Sequence, residues 1–282
     1  MRKKWKRRAF AALCLTALLF LAAPVIGEPG AAAEPVKLPV VMYHQLCKDD
    51  ARAGDYVLPL WQFEADLRWL RANGYETVSV RQLLDWVDGR GALPEKPCMI
   101  TFDDGYETTG VWAAPLLEKY GFCAVAGVIG SVAQQYSDAP DDTLAYAHLN
   151  WSELEELSRG NALELQYHSW DMHRLGARKG CNRMRGESEA AYRAALEGDL
   201  RRFREAAEEH GVALAPAAAY PFGAYCALTE EILRDSGVRV GFSCTEKVNR
   251  LTGDPGELFS LGRFNRPYGK SSADFFAKWE KE

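Results

Sequence analysis

The chain has no CxxC pair, no internal repeat, no long apolar run beyond its first 26 residues and no excess of positive charge, and only five of its 282 residues are histidine. Each gap excludes something. Without a CxxC pair, the cysteine spacing argues against a structural zinc held by thiolates. With one long apolar run, no second stretch suggests another membrane-spanning helix. A formal net charge of −5 makes nucleic acid a poor partner and suits a neutral or cationic polymer better.

The one apolar run is N-terminal. Arg2, Lys3, Lys4, Lys6, Arg7 and Arg8 precede an apolar stretch over residues 9–26, and Ala31-Ala32-Ala33 offers a small-residue cleavage site. Residues 1–33 read as a signal peptide cut near Ala33, or as a retained N-terminal membrane anchor. Either way the remainder is secreted or faces outward from the cytoplasmic membrane. Losing six positive charges and one negative charge moves the formal net charge from −5 to −10. Residues 34–282 then form one α/β domain of about 250 residues, long enough for a full core. The six cysteines left are even in number, which permits disulfides. Cys98, Cys123 and Cys244, however, fall in apparent core strands, where cysteine behaves as a small hydrophobe.

Short apolar runs alternate with amphipathic stretches. Strands are expected at 36–43, 76–80, 99–102, 122–129, 163–168, 217–220 and 239–243. Helices are expected at 61–72, 81–87, 111–120, 151–158, 188–210, 228–236 and 271–279, with Asn150 capping one and glycines stopping several. Residues 131–147 read as irregular and 181–188 as a basic loop. This alternation implies parallel βαβ units, and a (β/α) barrel places its chemistry at the C-terminal strand ends.

The chemistry-bearing residues sit at those ends. Asp103 and Asp104 close the buried run Cys98-Met99-Ile100-Thr101-Phe102, and Gly105 lets the chain turn so that both can reach one pocket. Two adjacent carboxylates there call for a cation or a proton, although Asp-Gly is also a common solvated turn. His168 and His173 follow another strand. Five residues apart, they would diverge on a helix, but a strand end and its loop can bring both to one ion. Two imidazoles and a carboxylate with an open position suit a divalent metal, zinc first. Tyr220-Pro221-Phe222-Gly223 could aim backbone N–H groups at an oxyanion, or be a plain turn. His44 ends the first strand and could donate a proton, or be structural. His148 and His210 look like helix-end residues.

With Thr101-Phe102-Asp103-Asp104-Gly105, His168-Ser169 through His173, and Tyr220-Pro221-Phe222-Gly223 in this order, the chain resembles the polysaccharide deacetylase (NodB-homology) family, carbohydrate esterase family 4. The Met42-Tyr43-His44 start and the histidine spacing resemble the exported branch that de-N-acetylates poly-N-acetylglucosamine. The resemblance implies a distorted (β/α) barrel of about seven parallel strands, circularly permuted. It also implies metal-dependent release of acetate from an N-acetylated polysaccharide. Asp104, His168 and His173 would hold the metal, Asp103 would be the base, His44 the acid for the leaving amine, and the backbone around Tyr220 and Phe222 an oxyanion site. Two departures stand out. The family's arginine before the third motif is replaced by Ala219, leaving Arg263 in Leu261-Gly262-Arg263-Phe264 as its substitute, and the C-terminal Leu-x-x-His is missing, leaving the acid role to His44 alone. Trp170 and Tyr225 could stack on sugar rings. The rival readings are an amidase or esterase for a non-sugar acyl group, which pocket shape would separate, and a surface carbohydrate-binding protein without catalysis.

Overall fold

A computed structural model of the protein describes residues 34–141 and 143–281. The leader expected over residues 1–33 lies outside them. Among the described residues no helix is long and apolar enough to cross a membrane.

Strands β1 (Val36–Leu38), β2 (Val40–Tyr43), β3 (Gln45–Cys47) and β4 (Val57–Pro59) lead into helix α1 (Leu60–Ala72). Then come β5 (Glu76–Thr77), α2 (Val80–Val87), β6 (Pro97–Phe102), α3 (Ala114–Tyr120), β7 (Ala124–Val128) and α4 (Gly130–Asp138). The order continues with α5 (Trp151–Ser158), β8 (Leu163–Tyr167), α6 (Glu189–Glu209), β9 (Leu214–Ala219) and α7 (Ala227–Asp235). It ends with β10 (Val240–Phe242), β11 (Asn249–Leu251), β12 (Phe264–Asn265) and α8 (Ser272–Lys281).

The main sheet runs β10-β9-β8-β7-β6-β2-β12, with β5 beside the start of β6. Every pairing in it is parallel. Helices cover the outside, so β2, β6 and β7 are buried at every position, as expected for parallel strands. The helices begin where side chains can cap them. Ser79 with Gln82, and Asn150 with Glu153, form reciprocal capping boxes. Ser188 caps α6, whose buried residues Tyr192, Leu196, Leu200, Phe203 and Ala207 recur at helical spacing. Burying a large apolar side chain of this kind stabilises by about 1.5–3 kcal/mol.

The strand expected at 36–43 breaks at Pro39 into β1 and β2. The irregular stretch expected at 131–147 instead begins with helix α4. Its polar sequence hides this because its buried residues are only Gly130 and Ala133. Polar groups then dock it: Ser137 Oγ accepts from the Trp151 backbone N–H at 2.9 Å, and Gln134 accepts from the indole of Trp151 at 3.1 Å. No disulfide links the six cysteines of the described residues, and Cys244 is exposed and follows β10 rather than lying in a core strand. The two-residue strand β12 adds to the strands expected from the sequence.

That strand matters out of proportion to its length. Phe264 and Asn265 pair with Val41 and Met42 of β2. Just before them, Leu261 bridges Phe242 of β10, with Ser243 N–H donating to Leu261 O at 2.8 Å and Leu261 N–H to Gly241 O at 2.9 Å. One five-residue segment thus joins the two edges of the curled sheet. The buried Asn249 side chain donates to Leu38 O and Gly262 O and accepts from Gly262 N–H, all within 3.0 Å, pinning that segment. Next to it the buried pair Arg266–Asp66, with Tyr43 hydroxyl donating to Asp66 at 3.0 Å, ties the segment to α1. The closure leaves no space at Gly241, where a Cβ would lie 2.3 Å from the Tyr220 hydroxyl and 2.5 Å from Phe259 O. We expect Gly241→Ala to lower stability by about 1–3 kcal/mol, read from the urea midpoint; an unchanged midpoint would show that the closure can relax.

Candidate active site

At the C-terminal ends of β6, β8 and β9 a cavity of about 640 Å³ opens, lined among others by His44, Asp103, Asp104, His168, His173 and Phe222. Among the described residues, the non-glycine positions with positive φ are Asp104 (φ 73°), Ser169 (φ 89°) and Phe222 (φ 58°); Asp104 and Phe222 line this cavity, and Ser169 directly follows His168, which also does. Left-handed backbone at non-glycine residues costs about 1–3 kcal/mol each and persists where surroundings over-determine it. Here it redirects the chain just past Asp103, His168 and Pro221.

Asp103 continues β6, its N–H donating to Tyr43 O at 3.0 Å. Its carboxylate accepts two parallel bonds from Arg263, Nη1 to Oδ1 at 2.7 Å and Nη2 to Oδ2 at 2.8 Å. Arg263 is fully buried and also donates from Nε to Ser243 O at 3.0 Å. Thr101, two residues before Asp103 on the same strand face, shares Arg263 Nη1 at 3.3 Å while its hydroxyl donates to Val41 O at 3.0 Å. Alternation along β6 would have found Thr101. Burial pushes the Asp103 carboxyl up, but Arg263 chiefly, with His168 and His44, outweighs it and leaves the group below its ordinary range.

Gly105, at φ 72°, turns the chain, and Asp104 points at two imidazoles. Its Oδ1 lies 3.4 Å from His168 Nε2 and 3.2 Å from His173 Nε2. Burial pushes Asp104 up, and the neighbouring imidazoles of His168 and His173 pull it well below the usual carboxylate range. His168 Nδ1 lies 2.9 Å from Ala219 O. A carbonyl only accepts, so Nδ1 carries the proton and Nε2 faces Asp104. Burial lowers the His168 pKa, but Asp103 and Asp104 raise it more. Beneath them Gly127 leaves room, since a Cβ there would sit 3.2 Å from the His168 side chain.

These three residues fit a divalent cation. Their donor atoms lie within 4.8 Å of one another, and Asp104 Oδ1 is buried without a hydrogen-bond partner. The 3.2 and 3.4 Å carboxylate-to-imidazole separations match the edge of a tetrahedron with zinc-like bonds, about 3.3 Å.

His44 follows β2 and reaches the same cavity, its ring 4.9 Å from that of Tyr56 and its Nδ1 buried without a partner. Burial lowers its pKa more than Asp103 and Asp104 raise it. Phe222 also lines the cavity, with its ring 4.3 Å from His173. Tyr220 does not. Its hydroxyl donates to Phe259 O at 2.8 Å and its N–H to Phe242 O at 3.0 Å, so both donors serve the barrel closure. Trp170 is buried and Tyr225 stacks on Tyr220 at 4.1 Å, so neither lines the cavity. The aromatic walls are instead Tyr56 and Tyr106, which no motif marked. His148 packs its ring, tilted, 4.4 Å from that of Tyr106 in an isolated bridge rather than ending a helix, while His210 is the C-cap of α6.

A family model described as polysaccharide deacetylase matches residues 90–241. The poly-beta-1,6-N-acetyl-D-glucosamine N-deacetylase of Escherichia coli (strain K12) is 33% identical over 112 residues, 37% of this chain and 16% of that protein. The Staphylococcus aureus (strain MRSA252) protein of the same name is 25% identical over 195 residues, 69% of this chain and 63% of that one. The chain therefore spans less than two thirds of the length of either relative. Among solved structures, a de-N-acetylase from Aggregatibacter actinomycetemcomitans aligns with a TM-score of 0.72 at 21% identity, covering 86% of this chain and all of that one. IcaB from Ammonifex degensii aligns with a TM-score of 0.66 at 23% identity, covering 88% and 96%. These two likenesses are of fold. With the family model matched over more than half of its length, the chain belongs to the polysaccharide deacetylase family.

Proposed function

We propose that the protein is a metal-dependent hydrolase that removes N-acetyl groups from an exported, N-acetylglucosamine-containing polysaccharide. One observation carries this reading. The adjacent carboxylates have opposite partners: Asp104 faces two imidazoles, and Asp103 is clamped by Arg263 at the edge of the same cavity. That division supplies a cation site and a separate base. The names of the E. coli and S. aureus relatives support the substrate class. Tyr56, Tyr106 and Phe222 give the cavity the aromatic walls a sugar ring packs on.

Asp104, His168 and His173 would hold the ion, and their donor set suits zinc. When bound, such an ion polarises the acetamide carbonyl and makes water more acidic. Asp103, kept ionised by Arg263, accepts the proton of the attacking water as its oxygen bonds to the acetamide carbon. A backbone N–H at Phe222 donates to the carbonyl oxygen as that atom gains charge. His44 donates a proton to the sugar nitrogen, the C–N bond breaks, and acetate and a free amine leave. Residues 34–282 act as one catalytic domain, and the basic-then-apolar residues 1–33 direct it to the outside of the cytoplasmic membrane.

Acetate release from N-acetylglucosamine oligomers tests this. We expect release to fall below detection after exhaustive chelation and to return with added zinc. Failure to release acetate from any acylated glycan would sink the reading, and full activity in metal-free protein would remove the ion from it.

A further inference from the structure

We infer that Asp199 is a positioning residue for the metal site: its carboxylate clamps the loop between His168 and His173 and so sets where the second imidazole lies. This rests on the cation site proposed above. Asp199 lies on α6 and does not line the cavity. Its Oδ1 accepts from the Tyr167 hydroxyl at 2.5 Å and from Trp170 N–H at 2.6 Å, and its Oδ2 from Asp171 N–H at 2.9 Å. One carboxylate therefore grips the chain on both sides of His168 and stops two residues short of His173.

The carbonyls of the same loop are held from the opposite direction. Gly130 N–H donates to Ser169 O at 3.0 Å, and Ser131 N–H to Trp170 O at 2.9 Å. Residues 169–171 are thus fixed between the start of α4 and the middle of α6. The Trp170 ring locks the arrangement. It lies under the Arg202 guanidinium at 4.5 Å and against Gly130, where a Cβ would come within 2.6 Å of it. Ser169, at φ 89°, is the strained residue this grip maintains. Without the carboxylate, two backbone donors and a phenol lose their acceptor, and Ser169 can relax. Because His173 follows directly, its separation from Asp104 then widens.

The test uses the full chain as Asp199→Asn, which keeps the side-chain shape but puts an amide where one acceptor oxygen stood. Leu196→Ala, a buried truncation on the same helix, is the stability control. Zinc affinity is read by competition with a chelating dye, coordination geometry by the visible spectrum of the Co2+ form, and stability by melting of the metal-free protein. We expect Asp199→Asn to weaken zinc binding about 10–100-fold and to alter the Co2+ spectrum. Leu196→Ala should melt lower yet keep parental affinity and spectrum. Parental zinc affinity in Asp199→Asn would overturn the inference, as would affinity losses in both variants that simply follow their melting temperatures. A parent protein that binds neither ion overturns the cation site itself, and this inference with it.

Discussion

Arg263→Met should lose about 3–5 kcal/mol of stability at neutral pH, and the loss should shrink as the pH falls. Arg263 and Asp103 are both buried, and the arginine supplies two of the bonds that compensate the carboxylate for leaving water. In the parent the folded Asp103 titrates below its ordinary range. Its stabilisation is therefore complete above the unfolded carboxyl's pKa, about 3.9, and is lost as the pH drops through the folded value. In the variant, burial dominates and the folded pKa rises above the unfolded one. Folding then favours the protonated acid, so the residual stability is greatest below about pH 4 and declines as the pH rises through the new folded value. Urea unfolding of both proteins at pH 7 and pH 4 gives the comparison. A deficit of equal size at both pH values would mean that the cost comes from packing rather than charge. The same shift should move the acid limb of kcat/KM upward in pH, because the base holds its proton longer.

For Asp103→Asn we expect kcat to fall about 10²–10⁴-fold with zinc still bound. The asparagine retains the outline of the carboxylate but cannot take a proton from water, and Asp103 is not among the three residues that face one another across the cation site. Asp104→Ala should do the reverse in order of events, losing the ion first and activity with it. Acetate release measured beside zinc content per protein separates the two. Zinc lost from Asp103→Asn to the same extent as from Asp104→Ala would refute the division of labour between neighbouring carboxylates.

What could be read beforehand follows a physical divide. The strand before Asp103 is a short, mostly apolar run and the one before His168 alternates apolar and polar residues; both are local signals, and the ligand candidates sit where they stop. Ser79, expected inside a strand over 76–80, caps α2 instead, whereas the cap at Asn150 lies within four residues of sequence and was legible for the same reason. The closing segment was not. A strand as short as Phe264–Asn265 has no period to detect, and its partners are supplied by β2 and β10 from distant parts of the chain. Arg263 could be named from charge and motif loss, but not its bidentate geometry, which depends on that closure. Helix α4 was masked by buried residues that are small rather than apolar and large. Tyr220 shows the complementary error. Its position beside the proline turn is plain in the sequence, but which groups its hydroxyl and N–H serve is decided by Phe259 and Phe242.

The segment that joins the two sheet edges also carries the cation that clamps Asp103, and 160 residues separate Arg263 from that carboxylate. A ribosome delivers the chain in one direction, and domains generally fold as units once their parts are available. A nascent protein thus owns Asp104, His168 and His173 well before it owns Arg263. On the proposed mechanism, the groups that would hold the ion are therefore made before the residue that would orient the base, which arrives just ahead of β12.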